Sequence, residues 1–311
     1  MKLLTFERPG AEAPEIGAIA HDGRIAVLDR NLHPAFSDML SLIEAGEEGL
    51  AAAGDAIDEA EKIFTSQVRL LAPVPCPPQM RDALTFEMHL RQARANRYLF
   101  GQAKTRISPD EVVIPQVWYD QPIYYKGNRF SVSGPEDEIL WPFGETKLDY
   151  ELELGIIIGK EGSDIAEEDA MDHVFGFLIF NDFSARDHQI AEMQGGLGPS
   201  KGKDFRTANA MGPWLVTRDE IGDGDNLTMV ARINGEEWSR GNSSTMHHSF
   251  ARIIAHVSRD ETLYPGEFIG SGTVGGGCGL ELGRFLNPGD VVELEIEGLG
   301  TLRNRIGPKR G

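Results

Sequence analysis

The sequence predicts an α+β chain that is mainly β. Beyond residue 110 the apolar residues fall in many short runs punctuated by Gly and Pro, as strands joined by turns do. Helical patterning in that stretch is confined to brief segments near 184–192 and 249–257. Upstream, the proline cluster P-V-P-C-P-P at 73–78 can neither continue a helix nor donate regularly to a sheet. A boundary is placed there, between a small N-terminal α/β domain at 1–73 and a larger domain at 74–311.

In order along the chain, short strands are expected near 3–6, 16–20 and 24–28. A helical stretch follows over about 37–61, with Leu40, Ile43 and Leu50 in its apolar stripe. Residues 85–100 are expected to be helical as well. Hairpin signals recur at Ser133-Gly134-Pro135, Asn234-Gly235, Pro265-Gly266 and Pro288-Gly289.

The formal net charge of −19 over 311 residues argues against a nucleic-acid partner and against adhesion to anionic membrane. No apolar run approaches the roughly 18 residues that cross a bilayer. The N-terminus lacks the apolar core of a signal peptide. The two cysteines, Cys76 and Cys278, have no metal-like spacing, so a cytoplasmic, reducing compartment is expected.

The run 147–159, K-L-D-Y-E-L-E-L-G-I-I-I-G, begins as an alternating strand and ends fully apolar. Glu151 and Glu153 therefore project from one strand face and Leu152 and Leu154 from the other. Two carboxylates in a low-dielectric site need a cation, and oxygen donors suit Mg2+, Ca2+ or Mn2+. By periodicity alone the pair is not distinguishable from Glu293, Glu295 and Glu297, where a solvated sheet face is the better reading.

A strand at 174–180 empties into N-D-F-S-A-R-D-H-Q at 181–189, where Ser184 and Asp187 form a capping-box pattern. Asp182 just before it is expected at the exposed lip of a sheet. Arg186 and Gln189 share a helical face. Lys203, on the glycine-rich stretch 197–207, is either a solvated lysine or a group that folds over the site to stabilise negative charge on a substrate oxygen. His89 is either an ordinary surface histidine or a base, with Gln92 at i+3 placed to orient it. The string G-S-G-T-V-G at 270–275 matches a dinucleotide fingerprint literally, but the glycines that follow it do not suit a helix.

Five motifs in order, at 149–154, 181–189, 197–199, 203–207 and 270–273, together resemble the fumarylacetoacetate hydrolase family over about residues 75–305. The resemblance implies a mixed β-sandwich roll, a homodimer, and a bound Mg2+, Mn2+ or Ca2+. It makes Glu151, Glu153 and Asp182 the metal ligands. Lys203, Arg186 and Gln189 would meet the substrate or its oxyanion, with Tyr125 and Thr273 as further binding positions. His89 matches the histidine that activates water in smaller members. Thr85 aligns with a fourth, aspartate ligand of longer members, so a three-carboxylate site is expected. Gln92 stands where hydrolytic members carry a glutamate partner for the histidine. Lys126, beside Tyr125, is expected to meet a substrate anion. The implied reaction is cleavage of a carbon–carbon bond in a small 1,3-dioxo acid by water. Decarboxylation, isomerisation or dehydration of a 2-oxo acid at the same site is the alternative.

Overall fold

The computed structural model describes residues 1–310. Strands β1 (Lys2–Glu7), β2 (Glu15–Ile19) and β3 (Ile25–Leu28) form an antiparallel meander near the expected positions. Helices α1 (Met39–Glu44) and α2 (Gly46–Ile57) pack on it through Met39, Leu42, Ile43 and Ala53. The single helical stretch expected over 37–61 is divided because Gly46 adopts a φ of +54°, which side-chain-bearing residues avoid. Asp38 starts α1, accepting from the Ser41 N–H at 2.8 Å.

Then follow β4 (Met80–Ala83), α3 (Glu87–Ala95), β5 (Tyr124–Lys126), β6 (Leu152–Ile158) and β7 (Val174–Asp182). After them come α4 (Arg186–Met193), α5 (Ser200–Lys203), β8 (Asn209–Thr217), β9 (Thr228–Ile233) and β10 (Glu236–Asn242). The chain closes with α6 (Phe250–Val257), β11 (Phe268–Gly270), α7 (Gly279–Leu282), β12 (Val291–Ile296) and β13 (Gly300–Ile306). One large sheet runs β3-β2-β1-β8-β7-β6-β11-β4-β5, and a smaller one runs β10-β9-β12-β13. Because β1 pairs with β8, the N-terminal meander extends the main sheet.

Strand β6 lies between β7 and β11, and its apolar run is buried on both faces because a separate core packs on each side of the sheet there. Leu152, Leu154 and Ile156 enter the core shared with β9, β12 and α6. Ile157 faces the other way, into a core that also holds Leu3, Phe36, Leu42, Phe180 and Phe268. In β12 the alternation holds, with Val292, Leu294 and Ile296 buried and Glu293 and Glu295 partly exposed.

Of the four hairpin signals, Asn234-Gly235 joins β9 to β10, both residues at positive φ. The other three do not form hairpins. Around Ser133-Gly134-Pro135 the flanking strand residues join different sheets, Val132–Ser133 pairing with β8 and Glu138–Ile139 with β13. Before Pro265-Gly266, Thr262–Leu263 pairs with Gly162–Ser163, whereas β11 after it pairs with β6 and β4. Pro288-Gly289 follows α7 and leads into β12. A turn dipeptide specifies a local bend, and the partners of the strands it connects are chosen by packing. No helix of the described residues is long and apolar enough to cross a membrane.

Phe268 is fully buried, with its ring 4.7 Å from that of Phe180, in the core that also holds Leu3 and Phe36. Phe268→Ala is expected to cost about 3–5 kcal/mol. Urea unfolding followed by near-UV and far-UV circular dichroism should show one shifted transition; separate loss of an N-terminal unit would contradict the shared core.

Candidate active site

Parallel pairing of β11 with β4 sets Gly270 opposite Asp82, and antiparallel pairing of β6 with β7 sets Leu152 opposite Asn181. Asp82, Glu153 and Asp182 thereby come together, with carboxylate oxygens within 4.8 Å of one another. Gly270 makes room for them: a Cβ there would lie 2.4 Å from Asp82 Oδ1 and 3.2 Å from Glu153 Oε2. At Gly272, φ is +80° and the backbone N–H is turned onto Asp82 Oδ1 at 3.2 Å and Glu153 Oε2 at 3.1 Å. The glycine string at 270–275 thus serves the carboxylates, and it continues as a loop.

All three acids are buried, including Asp182, which the sequence placed at an exposed lip. The lip is covered because Tyr125 donates to Asp182 Oδ2 at 2.7 Å and Lys203 reaches the same oxygen. Burial first, then the neighbouring Asp182 carboxylate, pushes Asp82 up to about 7. Burial, with Asp82 and Asp182 beside it, lifts Glu153 well above the usual range, and burial also raises Asp182. Asp182 Oδ1 is buried with no hydrogen-bond partner. Crowded oxygen donors, one of them orphaned, and no soft ligand among them fit a hard divalent cation such as Mg2+, Mn2+ or Ca2+. Asp82 thus adds an acid to the site beyond the three that were expected, and it comes from three residues before Thr85. Thr85 instead donates to the Ser271 carbonyl at 2.6 Å.

Glu151, expected among the metal ligands, is the other carboxylate of the floor, but its oxygens are bonded to Lys203 and Arg186, and the crowded trio is Asp82, Glu153 and Asp182. Lys203 Nζ binds Glu151 Oε2, Asp182 Oδ2 and the Ser184 hydroxyl, and Arg186 Nη2 donates to Glu151 Oε1 at 2.7 Å. Although burial opposes ionisation, Lys203 and Arg186 hold Glu151 below the ordinary carboxylate range. Lys203 is therefore a buried site residue, raised despite desolvation by Asp182 and Glu151. Ser184 forms no capping box: α4 begins after Ala185 without a side-chain cap, and Asp187 accepts from Thr146 N and Lys147 Nζ.

Arg186 is fixed from behind by Asp149, which accepts from its Nε at 2.8 Å and Nη2 at 2.7 Å. Arg186 Nη1 donates to Gln189 Oε1 at 2.8 Å, as a shared helical face allows. Asp149 also accepts from the backbone N–H groups of Gly279 and Leu280 at 2.7 and 2.8 Å, the start of α7. That helix carries Glu281, whose Oε1 lies 2.8 Å from His89 Nδ1. Gln92 makes no such bond, and its Oε1 has no partner. The histidine therefore has a carboxylate partner, from 192 residues downstream. Desolvation lowers His89, but Glu281 outweighs it and the net direction is upward.

These groups line a cavity of about 690 Å3 with Asp82, His89, Tyr125, Glu151, Glu153, Arg186, Gln189, Lys203 and Thr273 on its walls. Thr273 Oγ1 donates to Glu153 Oε1 at 3.2 Å. Lys126 is not among them; strand alternation sends Tyr125 inward and Lys126 out to Glu261 at 3.3 Å. The lining also includes apolar Leu90, Phe100, Ile123, Ile190 and Met193, and the cations Arg94 and Arg97.

A model of the fumarylacetoacetate (FAA) hydrolase C-terminal region matches residues 81–307. The chain belongs to the fumarylacetoacetate hydrolase family. Among family members, the chain is 33% identical over 98% of its length to the mitochondrial oxaloacetate tautomerase fahd2 of Xenopus laevis, covering 90% of that protein. A fumarylacetoacetate hydrolase structure from Exiguobacterium antarcticum superposes with a TM-score of 0.78 at 29% identity, over 99% of this chain and 100% of that one. The maleylpyruvate hydrolase of Sphingobium sp. SYK-6, solved with manganese(II) and pyruvate, shares the fold at a TM-score of 0.75 and 24% identity, with 100% of both chains covered.

Two site residues escaped the sequence reading. Asp82 left a faint trace, an acid in a short strand beginning at Met80. Glu281 left only an acid in the glycine-rich run 275–283, with no periodicity to place it.

Protonation and cation binding compete at the carboxylates. Their folded pKa values lie above unfolded ones, so without cation their contribution to stability falls as pH rises from about 4 towards 7 and above. The Tm gain produced by Mg2+ or Mn2+ is accordingly expected to grow between about pH 6 and about pH 8. Scanning fluorimetry should show this in the wild type, with the gain lost in Glu153→Ala; a pH-independent gain would remove these acids from the ligand set.

Proposed function

We propose that this protein is a divalent-metal-dependent hydrolase that cleaves a carbon–carbon bond in a small 1,3-dioxo acid of the acylpyruvate type. The observation that carries this reading is His89 on the cavity wall beside the acidic floor, with Glu281 buried behind it as its carboxylate partner. A cation held by Asp82, Glu153 and Asp182 would supply Lewis-acid polarisation of two substrate oxygens.

With Nδ1–H donating to Glu281 Oε1, the Nε2 lone pair of His89 is left free as a base. His89 takes a proton from water as the water oxygen bonds to the ketone carbon. The carbon–carbon bond then breaks, its electron pair passing to the departing fragment as an enolate. His89 returns the proton to that carbon. Lys203, Arg186 and Gln189 present positive charge or N–H donors to the developing oxyanion. Tyr125, lifted well above its ordinary pKa by burial and by Asp182, stays a neutral donor. A homodimer is proposed as the working assembly.

Tautomerisation of a 2-oxo acid is the second reading, favoured by the relative named as an oxaloacetate tautomerase. It needs the same base, with the proton taken from carbon rather than water. The apolar side chains Leu90, Phe100, Ile190 and Met193 on the cavity wall favour the hydrolytic reading, since a four-carbon dicarboxylate has no apolar tail to set against them.

Incubation of acylpyruvates in water enriched in oxygen-18 separates the two. The hydrolytic reading expects one labelled oxygen in the released carboxylate; exchange of the C3 proton without cleavage overturns it in favour of the tautomerase. In either case His89→Ala is expected to lower kcat about 10²–10⁴-fold, and Glu281→Gln to shift the pH dependence of kcat/KM, since the partner that raises His89 is neutralised.

A further inference from the structure

Cys278 is fully buried, and the chemistry above makes no use of it. It precedes α7 without capping it, and its thiol instead points at Glu281, with Sγ 3.4 Å from Oε1. That oxygen is the one shared with His89 Nδ1 at 2.8 Å. A nitrogen, a sulfur and an oxygen donor, one from each of His89, Cys278 and Glu281, thus lie within 4.8 Å of one another. Donors on a tetrahedral zinc ion, bound at about 2.0–2.3 Å, are about 3.3–3.8 Å apart. The N···O and S···O separations, 2.8 and 3.4 Å, lie near that spacing already, and the third pair is within 4.8 Å. Glu281 Oε2 is separately held by the Gly276 N–H at 2.7 Å, so Oε1 can change partner without releasing the side chain.

We propose that His89, Cys278 and Glu281 form a second, softer cation site that takes Zn2+, and that its occupation switches catalysis off. The donor set differs in kind from the all-oxygen floor: imidazole and thiolate select zinc, whereas carboxylates suit magnesium and manganese. Binding releases the thiol proton to solvent, giving a thiolate ligand. The Nδ1 proton of His89 moves to Nε2 as zinc takes Nδ1. The imidazole stays neutral, but the lone pair that faced the cavity is lost and it can no longer accept a proton. His89 and Leu280 are part of the cavity wall, so the trio sits directly behind the surface that substrate meets. The inhibitory half of the proposal rests on His89 acting as the base; the cation site does not.

The chain has only two cysteines, so a thiolate signal is assignable. The full-length protein is saturated with Mg2+ to fill the carboxylate floor and titrated with Co2+ as a coloured substitute for zinc. A near-ultraviolet thiolate-to-cobalt charge-transfer band is expected in wild type and Cys76→Ser, and none in Cys278→Ser or Cys278→Ala, with Tm confirming that each variant folds. Zn2+ should abolish the band and inhibit turnover. Changes outside a ligand set already cost roughly tenfold in affinity, so the half-inhibitory zinc concentration should rise at least that much in the Cys278 variants. No band in Cys76→Ser, or a band surviving in both Cys278 variants, overturns the site. A Cys278-dependent band without inhibition overturns the switch and identifies the assignment of His89 as the part that failed.

Discussion

Surplus negative charge in a buried place is the constraint on which the rest of the structure depends. Asp82, Asp149, Glu151, Glu153 and Asp182 are all removed from water, and Lys203 and Arg186 are the buried cations bonded among them. Isolated carboxylates would be very costly to desolvate. The fold meets that cost in two ways. Lys203 and Arg186 keep Glu151 ionised, while Asp82, Glu153 and Asp182 remain under-compensated and are driven towards protonation. The first arrangement makes a rigid charged wall; the second makes a place for a divalent cation.

Asp149 ties the two halves of the site together. One carboxylate holds Arg186 on the substrate side and the first N–H groups of α7 on the side of Glu281. A four-residue helix has little stability of its own, and α7 has no side-chain cap. Its position, and with it the direction from which Glu281 meets His89, is set from outside. Asn96, which follows the last residue of α3, adds a second tie, donating to the Leu280 and Glu281 carbonyls at 2.8 and 2.9 Å.

The legible parts were those carried by local pattern. Alternation marked Glu151 and Glu153 as sharing a face, and the apolar run after them marked a strand buried on both sides; each is a property of a few consecutive residues. The spacing of Arg186 and Gln189 likewise predicted their contact. Lys126 was misplaced because its neighbour Tyr125 does face the site, and a single residue step reverses a strand side chain. Gln92 was misread because i+3 proximity on a helix is local, whereas His89 turns towards a partner that only folding brings near.

Strand periodicity by itself determined a mainly β chain with two glutamates on one strand face, and the five ordered motifs carried the resemblance to the fumarylacetoacetate hydrolase family and, through it, to an acidic site with a histidine. Only the tertiary structure decided that Asp82 completes the carboxylate cluster, that Glu281 partners His89, and that Glu151 is neutralised by Lys203 and Arg186. Asp82 meets Glu153 through β11, whose Gly270 lies opposite Asp82 and leaves space that a side chain would fill. Glu281 reaches His89 through a helix held by Asp149. Such contacts depend on sheet register and on backbone amides far apart in the chain, and short-range periodicity carries no record of either.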